Sequence, residues 1–308
     1  MNLPFQETRR IAVCLAAFNG VRYLQQQVDS ILSQSGVNIT LFVSVDRSTD
    51  GTEQWFADLK TKDDRVVPLP FGESFGGAAQ NFFRLLRDVD FSKFEYVAYA
   101  DQDDIWLPGK LKRAVERLVQ TGSDGYSSDV VAFWESGRSS YIKKSYTQRK
   151  WDYLFESAGP GCTFVISQKL VLEIQKALEQ NRQISMDVGL HDWFTYAFAR
   201  AHGYRWIIDD FASLMYRQHD TNQVGVNSGW AAFVWRARRI LSGWGLSQSR
   251  LIAHLSGQAT HPFVARWSGG SRWGLLTLAC AAPQCRRKPL DRVWFAGSCL
   301  AMAVLGWK

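Results

Sequence analysis

The sequence predicts an α/β fold with a mostly parallel sheet flanked by helices. Apolar runs of strand length alternate with segments whose apolar residues recur every three or four positions, as on one face of a helix. Polar loops follow the apolar runs, at the edge where parallel sheets bind ligands. The chain has 308 residues, of which 46% are hydrophobic, so it can bury a large core and is not disordered.

The first 120 residues contain repeated strand–helix units, each with an apolar run, a polar turn and an amphipathic stretch. The predicted strands cover 11–17, 39–45, 66–69 and 96–100, and the predicted helices cover 21–32, 52–59, 78–89 and 109–119. Beyond these, the pattern predicts a strand over 130–134, a helix beginning near His191 and short strands over 206–208 and 213–216. Repeated units of this kind imply a parallel sheet with helices on both faces.

The composition changes near Trp230. The whole chain has a formal charge of +7, yet residues 230–308 hold eleven Lys and Arg against a single acid, Asp291, together with seven of the 13 tryptophans. Interleaved basic and Trp residues are typical of a surface that contacts anionic headgroups and the interfacial zone of a bilayer. The alternative is that these aromatics pack on the preceding domain or form a homodimer interface. We therefore expect a main domain over 1–229 and a helical, membrane-associating region over 230–308.

Two segments of this region are candidates for membrane contact. Residues 230–241 combine apolar side chains with three arginines, as a cationic interfacial helix does. The apolar stretch 293–306 has 14 residues, fewer than the roughly 20 of a spanning helix, and is predicted to lie in the membrane rather than cross it. No secretory signal is recognisable in residues 1–10, and the cysteines lack metal-ligand spacing. We expect reduced, inert cysteines and a cytoplasmic protein, peripheral on the inner face of the cell membrane.

The most informative segment is the acidic loop after the fourth apolar run. Asp101, Asp103 and Asp104 lie within four residues at the end of a predicted buried strand, where their repulsion is costly unless a cation offsets it. Carboxylates suit Mg²⁺ or Mn²⁺, and such ions often complete their coordination with substrate phosphate and water. The metal interpretation therefore implies a phosphorylated ligand. The alternative is a solvated turn in which Asp104 caps the next helix.

A second polar loop follows the strand that ends at Val45. Asp46 is suited to accept hydrogen bonds from the imide of a pyrimidine base or from a ribose. Ser48, Thr49 and Asp50 are better explained as caps of the next helix. For Asp46 the ligand-binding and the structural interpretation stay open.

Six short strings together carry a resemblance to a known family. They are LAAFNG (15–20), VDRSTDGT (45–52), FGGAAQN (75–81), ADQDDIWLPGKL (100–111), HDW (191–193) and YRQH (216–219). The first four resemble, in order and spacing, the donor-binding half of the family 2 glycosyltransferases with a GT-A fold. The last two resemble its bacterial rhamnosyltransferase-like branch. The resemblance covers roughly residues 10–225 and implies a donor half at about 10–120 and an acceptor half at about 121–229.

The resemblance also implies a role for each candidate site residue. Donor binding would fall to Phe18, Asn19, Asp46, Asn81, Asp101 and Arg217. The metal would be held by Asp103 and His219, the acceptor proton would be removed by Asp192, and the acceptor side would comprise Gly159, Gly161, His191 and Trp193. Many relatives carry a second acid or a small residue where this chain has Arg47, and this difference concerns base recognition.

The implied activity is that of an inverting, metal-dependent glycosyltransferase. It would move a sugar from a nucleotide diphosphate to a saccharide or lipid-linked saccharide acceptor in bacterial cell-surface polysaccharide synthesis, such as that of O-antigen. The favoured donor is dTDP-L-rhamnose, a UDP-hexose is the alternative, and the cofactor is Mg²⁺ or Mn²⁺.

Other classes of protein fit the sequence less well. A basic nucleic-acid-binding protein or a membrane scaffold would explain the tail, but no recognisable DNA- or RNA-binding element is present, and we expect no nucleic-acid partner. A dinucleotide-dependent oxidoreductase would need GxGxxG after the first strand, where Asn19 and Gly20 stand. A phosphatase with a nucleophilic aspartate would carry its DxD after the first strand rather than after the fourth.

Overall fold

The computed structural model describes residues 8–219 and 243–306, and its strands form two sheets. The larger sheet contains β1 (Arg9–Ala17), β2 (Val37–Val45), β3 (Val66–Pro68), β4 (Tyr96–Ala100), β6 (Gly125–Ser128), β9 (Val165–Ser167) and β10 (Trp206–Asp209). The smaller sheet contains β5 (Ile105–Trp106), β7 (Val130–Trp134), β8 (Ser139–Ile142) and β11 (Leu214–Gln218).

The larger sheet has the strand order β10-β6-β9-β4-β1-β2-β3. Strand β1 pairs in parallel with β2 on one side and with β4 on the other, and β9 runs antiparallel to β4 and β6. The sheet is therefore mostly parallel, as predicted. Because β1, β2 and β4 end at the same edge, the loops that follow them converge there.

The helices surround the sheets and continue into the C-terminal region. Those of the first part are α1 (Val21–Leu32), α2 (Thr52–Lys60), α3 (Ala78–Asp88), α4 (Lys110–Thr121), α5 (Gln168–Gln180), α6 (Arg182–Ser185) and α7 (His191–Ala201). Those of the C-terminal region are α8 (Trp244–Leu255), α9 (Pro262–Ser268), α10 (Arg272–Cys280), α11 (Ala282–Cys285) and α12 (Pro289–Leu305). The buried positions Leu24, Val28 and Ile31 of α1 follow the predicted helical spacing.

The capping alternative for the acidic loop is wrong. Helix α4 begins at Lys110, after Gly109 in the left-handed conformation with φ of 80°, and Asp104 caps nothing there. Asp104 is instead fully buried. The helix begins just beyond Pro108, as predicted, and the preceding strand β5 pairs with β11.

The C-terminal helices share a core with helices of the first part of the chain. Ile252, Trp267 and Leu275 are buried in the same cluster as side chains of α3, α5 and α7. In contrast, Trp273 is 79% and Trp294 is 54% exposed. Some tail aromatics therefore pack on the main domain, whereas others face outward.

Three further predictions concern the 230–241 helix, membrane-spanning helices and the cysteines. The predicted helix over 230–241 lies outside the described residues. Among the helices within 8–219 and 243–306, none combines the length and hydrophobicity needed to cross a bilayer. All five cysteines are free thiols, as expected.

Candidate active site

The loops that follow β1 and β2 are tied together by Asn19. Its backbone has a positive φ of 46°, a conformation that Asn tolerates better than most residues. The side-chain Oδ1 of Asn19 accepts a hydrogen bond from Thr49 N at 2.8 Å, and Asn19 N donates to Ser48 Oγ at 3.0 Å. The two strand ends therefore form one continuous polar rim.

Asp50 holds the first turns of two helices. Its Oδ2 accepts from Val21 N of α1 and its Oδ1 from Thr52 N of α2, both at 3.0 Å. Asp50 therefore binds the first N–H of α2 from the residue before the N-cap, Gly51, whereas Ser48 and Thr49 contact Asn19.

Asp46 organises the loop before α3. Its Oδ1 accepts from Phe75 N and Arg47 N, both at 2.9 Å, and its Oδ2 accepts from Gly76 N at 3.2 Å. The residue is only 6% exposed. Asp46 therefore shapes one wall of the rim through backbone amides.

Asn81 lies beneath this rim rather than on it. Its Nδ2 donates to Ala17 O and Ser44 O at 3.1 Å each, so it joins the ends of β1 and β2. The side chain is 2% exposed, and its Oδ1 has no hydrogen-bond partner. Both hydrogen bonds from the Asn81 amide nitrogen hold strand ends, and its role in donor binding stays a prediction.

Gln102 is a rim residue to which the sequence assigned no role. Its Oε1 accepts from Phe18 N at 2.7 Å and its Nε2 donates to Phe18 O at 3.0 Å. A Cβ on Gly20 would lie 2.2 Å from that Oε1, so the glycine makes room for the amide. Gln102 thereby fixes the backbone of Phe18, whose side chain is 54% exposed.

Strand pairing brings the end of β11 against the acidic loop. Strands β5 and β11 run antiparallel, with Ile105 opposite Met215, so Arg217 passes beside the aspartates. Arg217 N donates to Asp104 Oδ1 at 3.1 Å, and Arg217 Nε donates to the carbonyl of Asp103 at 2.7 Å. Asp104 therefore anchors the strand that carries Arg217.

His219, the residue after β11, reaches the second aspartate of the loop. Its Nε2 lies 2.6 Å from Asp103 Oδ2, and its ring stacks on Tyr23 with centroids 5.2 Å apart. The two side chains keep 15% and 11% of their surface exposed. These two atoms are within hydrogen-bond distance of each other, and both a carboxylate oxygen and an imidazole nitrogen are groups that ligate divalent ions.

A second group of potential ligands lies deeper. Ligand atoms of Asp101, Asp104 and Cys162 are all within 4.8 Å of one another. Burial raises the pKa of the Cys162 thiol well above its usual range. A thiol sulfur is also a soft ligand, whereas Mg²⁺ and Mn²⁺ prefer oxygen ligands. Asp103 and His219 fit a divalent ion better than this group does.

Asp192 faces the same site from the first turn of α7. Burial raises the pKa of Asp101 to about 7, and the charges of Asp103 and Asp192 add to the effect. Burial likewise raises the pKa of Asp192 to about 6, against the lowering influence of nearby groups that include Lys144. Lys144, which the sequence did not indicate, thus supplies positive charge beside the candidate base.

Because Gly161 has no side chain, its backbone lies close to His191 and Asp192 at the start of α7. A Cβ at this position would lie 2.6 Å from His191 Nε2 and 3.2 Å from Asp192 Cβ. His191 stacks on Phe82 with centroids 3.8 Å apart, and burial lowers its pKa to about 3. The imidazole is therefore uncharged at neutral pH.

The two remaining acceptor-side candidates, Trp193 and Gly159, have other neighbours. Trp193 is 5% exposed, belongs to the core and donates from Nε1 to Tyr153 O at 3.0 Å. A Cβ on Gly159 would meet only Ser128 O at 3.5 Å and carbons of Lys144 at 3.7 Å. The structure therefore brings Gly161, His191 and Asp192 together and places Trp193 behind them.

Another buried group, Lys110, was also missed by the sequence reasoning. Its Nζ lies 3.7 Å above the Trp106 ring centroid, and burial lowers its pKa to about 7. The Asp104 carboxylate nearby opposes this shift. No local pattern signals this contact, because a lysine at the start of a helix is normally solvated.

This fold and this arrangement of acids define a glycosyltransferase of the GT-A class. Residues 12–174 match the model of the family "Glycosyl transferase family 2", and the chain belongs to that family. It is 38% identical over 281 residues to dTDP-rhamnosyl transferase RfbG of Shigella flexneri, covering 91% of this chain and 96% of the relative. It is also 24% identical over 165 residues to the UDP-Glc:alpha-D-GlcNAc-diphosphoundecaprenol beta-1,3-glucosyltransferase WfgD of Escherichia coli, covering 53% and 61%.

Solved structures resemble the chain over nearly its whole length. TarS 1-349 of S. aureus in complex with UDP-GlcNAc has a TM-score of 0.53 at 14% identity, covering 96% of this chain and 89% of that one. The mannosyltransferase PcManGT of Pyrobaculum calidifontis, in complex with GDP-Man and Mn²⁺, has a TM-score of 0.52 at 17% identity, covering 98% and 88%. At these identities the likeness shows the fold alone.

Proposed function

We propose that this glycosyltransferase moves L-rhamnose from dTDP-L-rhamnose, with inversion, to a saccharide or lipid-linked saccharide acceptor of the bacterial cell surface. The observation that carries the mechanism is the convergence of Asp101, Asp103 and His219 with Asp192 at one edge of the sheet. The choice of donor rests on the relative from Shigella flexneri, which matches 91% of this chain. The proposed catalytic domain is 1–229, with 230–308 as its C-terminal region.

The rim at the ends of β1 and β2 is the proposed nucleotide site. The exposed ring of Phe18 supplies a stacking surface for a planar base, and its backbone is fixed by Gln102. The side chain of Asn19 and the remaining lone pairs of Asp46 offer acceptors for the base or ribose. Arg47 is exposed beside them and supplies a cation at the mouth of the site.

The diphosphate belongs at the acidic loop. Asp103 and His219 would hold Mg²⁺ or Mn²⁺, and the ion would neutralise charge that develops on the departing nucleoside diphosphate. Asp101, in the same acidic loop as Asp103, is the proposed contact to ribose or to the ion. Arg217 is fixed by Asp103 O and Asp104, which keeps its positive charge beside the diphosphate position.

Asp192 is the proposed base. Its carboxylate takes the proton of the acceptor hydroxyl while that oxygen forms a bond to the anomeric carbon of the sugar. The bond from that carbon to the diphosphate oxygen breaks, and its electron pair leaves with the nucleoside diphosphate. A pKa of about 6 keeps Asp192 ionised near neutral pH yet basic enough to accept the proton. Neutral His191 lies beside it for acceptor contact.

The C-terminal region is the proposed contact with a membrane. Helix α12 carries six exposed apolar side chains, an array called here the α12 stripe: Leu290, Val293, Trp294, Leu300, Val304 and Leu305. Their spacing of three or four residues places most of them on one side of the helix, opposite the buried Cys299 and Ala303. The surplus of basic residues in 230–308 complements anionic headgroups. We place the enzyme on the inner face of the cell membrane, with a homodimer as the competing use of the stripe.

A donor panel tests the catalytic proposal. The protein is incubated with dTDP-L-rhamnose, UDP-glucose and UDP-GlcNAc, each with Mn²⁺, Mg²⁺ or EDTA, and release of nucleoside diphosphate is measured. We expect cation-dependent turnover of dTDP-L-rhamnose that is lost in Asp192→Asn. Turnover of a UDP-hexose alone would replace the donor, and turnover of every donor unaffected by EDTA would overturn the metal role.

A further inference from the structure

The loop that leads into the base-bearing helix is held by two glutamines from separate elements. Gln80 of α3 donates from Nε2 to Met186 O at 2.7 Å and to Val188 O at 2.9 Å. Gln248 of α8 donates from Nε2 to Asp187 O at 3.0 Å and accepts at Oε1 from Gly189 N at 2.9 Å. Each residue from 186 to 189 thus has one backbone group bound by a glutamine, alternately from the two sides.

Side-chain packing by α8 also stabilises the 186–189 loop. A Cβ on Gly189 would lie 2.8 Å from Cζ2 of Trp244, so the indole sits directly on the glycine backbone. Gln248 is only 8% exposed, and its two hydrogen bonds are therefore shielded from water. Helix α8 therefore contacts the loop both through hydrogen bonds and through the packing of Trp244.

The loop determines where α7 begins. Its last residue, Leu190, accepts the first helical hydrogen bond, from Phe194 N at 3.2 Å. Asp192 lies in that first turn, two residues beyond the end of the loop. A shift of the loop backbone is therefore transmitted directly to the Asp192 carboxylate.

Helix α3 connects the same loop to the nucleotide rim. Gln80 binds the loop, and the next residue, Asn81, joins the ends of β1 and β2. Helix α3 therefore binds both the ends of β1 and β2 and the loop that leads into α7.

We propose that Gln80 and Gln248 are positioning residues for Asp192, and that α8 of the C-terminal region is thereby required for turnover. This inference rests on the proposed role of Asp192 as base. It assigns to the C-terminal region a catalytic purpose that is independent of any membrane contact.

The test uses Gln248→Met and Gln80→Met in the full chain, because methionine keeps the length of the side chain and removes its hydrogen bonds. Ser247→Ala, an exposed neighbour on α8, is the matched control. Amide hydrogen exchange over 186–192 is expected to rise about tenfold in each methionine variant and to stay unchanged in the control. Unchanged exchange in both methionine variants would overturn the hold on the loop.

Turnover distinguishes positioning from general destabilisation. With dTDP-L-rhamnose and Mn²⁺, we expect kcat to fall about tenfold or more, whereas the KM for the donor and the Kd for dTDP stay within about twofold. In an Asp192→Asn background, the residual rate should not fall further when Gln248→Met is added, since the base is already gone. A further fall would mean a structural role only. If Asp192→Asn itself retains full turnover, the base assignment fails instead, while the exchange result still decides whether the glutamines hold the loop.

Discussion

The Asp103 carboxylate and the His219 imidazole lie 2.6 Å apart, although 116 residues separate them in the sequence. Antiparallel pairing of β5 with β11 produces this contact, because it returns the chain past the acidic loop just as β11 ends. Asp104 strengthens the pairing by accepting from Arg217 N. The third acid of the loop therefore positions the strand that delivers the histidine.

Removing either partner of this pair should weaken cation binding. Asp103→Asn keeps the shape but loses the charge, and we expect turnover to fall by about two orders of magnitude or more, because Lewis-acid stabilisation contributes several kcal/mol. Turnover should fall less in His219→Ala, since the Asp103 carboxylate remains. Mn²⁺ affinity from calorimetry or electron paramagnetic resonance provides the readout. Asp64→Asn, at an exposed acid outside the site, is the control. Equal Mn²⁺ affinity in all four proteins would remove these residues from the metal site.

Two glycines two residues apart should respond differently to alanine. In Gly161→Ala the new methyl group would lie 2.6 Å from His191 Nε2, so the start of α7 must move. We expect kcat to fall by about tenfold to a hundredfold, as a displacement of about 1 Å can cause. In Gly159→Ala the nearest atom is 3.5 Å away, an ordinary contact, and activity should be retained.

Steady-state kinetics and melting temperatures of the two glycine variants provide the comparison. Similar losses in both would show that the close approach of Gly161 to His191 has no special importance. A loss of kcat in Gly161→Ala without a matching loss of stability would locate the effect in the site.

The sequence was sufficient to predict the parallel sheet and the polar loops that form the candidate site. Apolar runs followed by Asn19, by Asp46 and by the acidic loop predicted three strand ends at one edge, and the structure places them there. Strand β9 was missed because its three residues carry too little periodicity to be recognised.

Side-chain direction is what local patterns could not supply. Asn81 and Trp193 belong to strings that resemble family motifs, yet one lies under the rim and the other in the core. Gln80 stands in one of these strings without an assigned role, and Gln248 belongs to none, since the contacts of both depend on the docking of α3 and α8 against one loop. Long-range packing of this kind is not encoded in spacing along the chain.

Activity should depend on the ionisation of Asp192. Its folded pKa of about 6 means that the carboxylate is charged above that pH and increasingly protonated below it. We expect kcat/KM to be level above about pH 7 and to fall about tenfold per pH unit below pH 6. Asp192→Asn should lower the rate by about 10² to 10⁴ and abolish this inflection. A pH profile that is identical in the variant would assign the titration, and the base, to another group.

The α12 stripe should mediate binding to anionic membranes. Val293 and Val304 are 70% and 76% exposed, and their replacement by Asp puts negative charge where we expect lipid contact. In sedimentation with vesicles of phosphatidylglycerol and phosphatidylethanolamine, we expect Val293→Asp/Val304→Asp to bind about tenfold more weakly or worse. The reason is that each buried methylene contributes about 0.8 kcal/mol and the added charges repel the surface. Val119→Asp, the same change at a 56% exposed valine of α4, should bind as the unaltered protein does.

Two further measurements separate the membrane from the competing homodimer. Release of dTDP from dTDP-L-rhamnose in solution should be the same in the stripe variant and the unaltered protein, because no residue of α12 has a role in the proposed mechanism. Light scattering gives the mass of each protein in solution. A stripe variant that binds vesicles normally but changes from dimer to monomer would show that the stripe joins two copies of the chain. Weaker vesicle binding at constant mass would establish lipid as its partner, since the exposed apolar side chains then lose a contact that only the membrane provides.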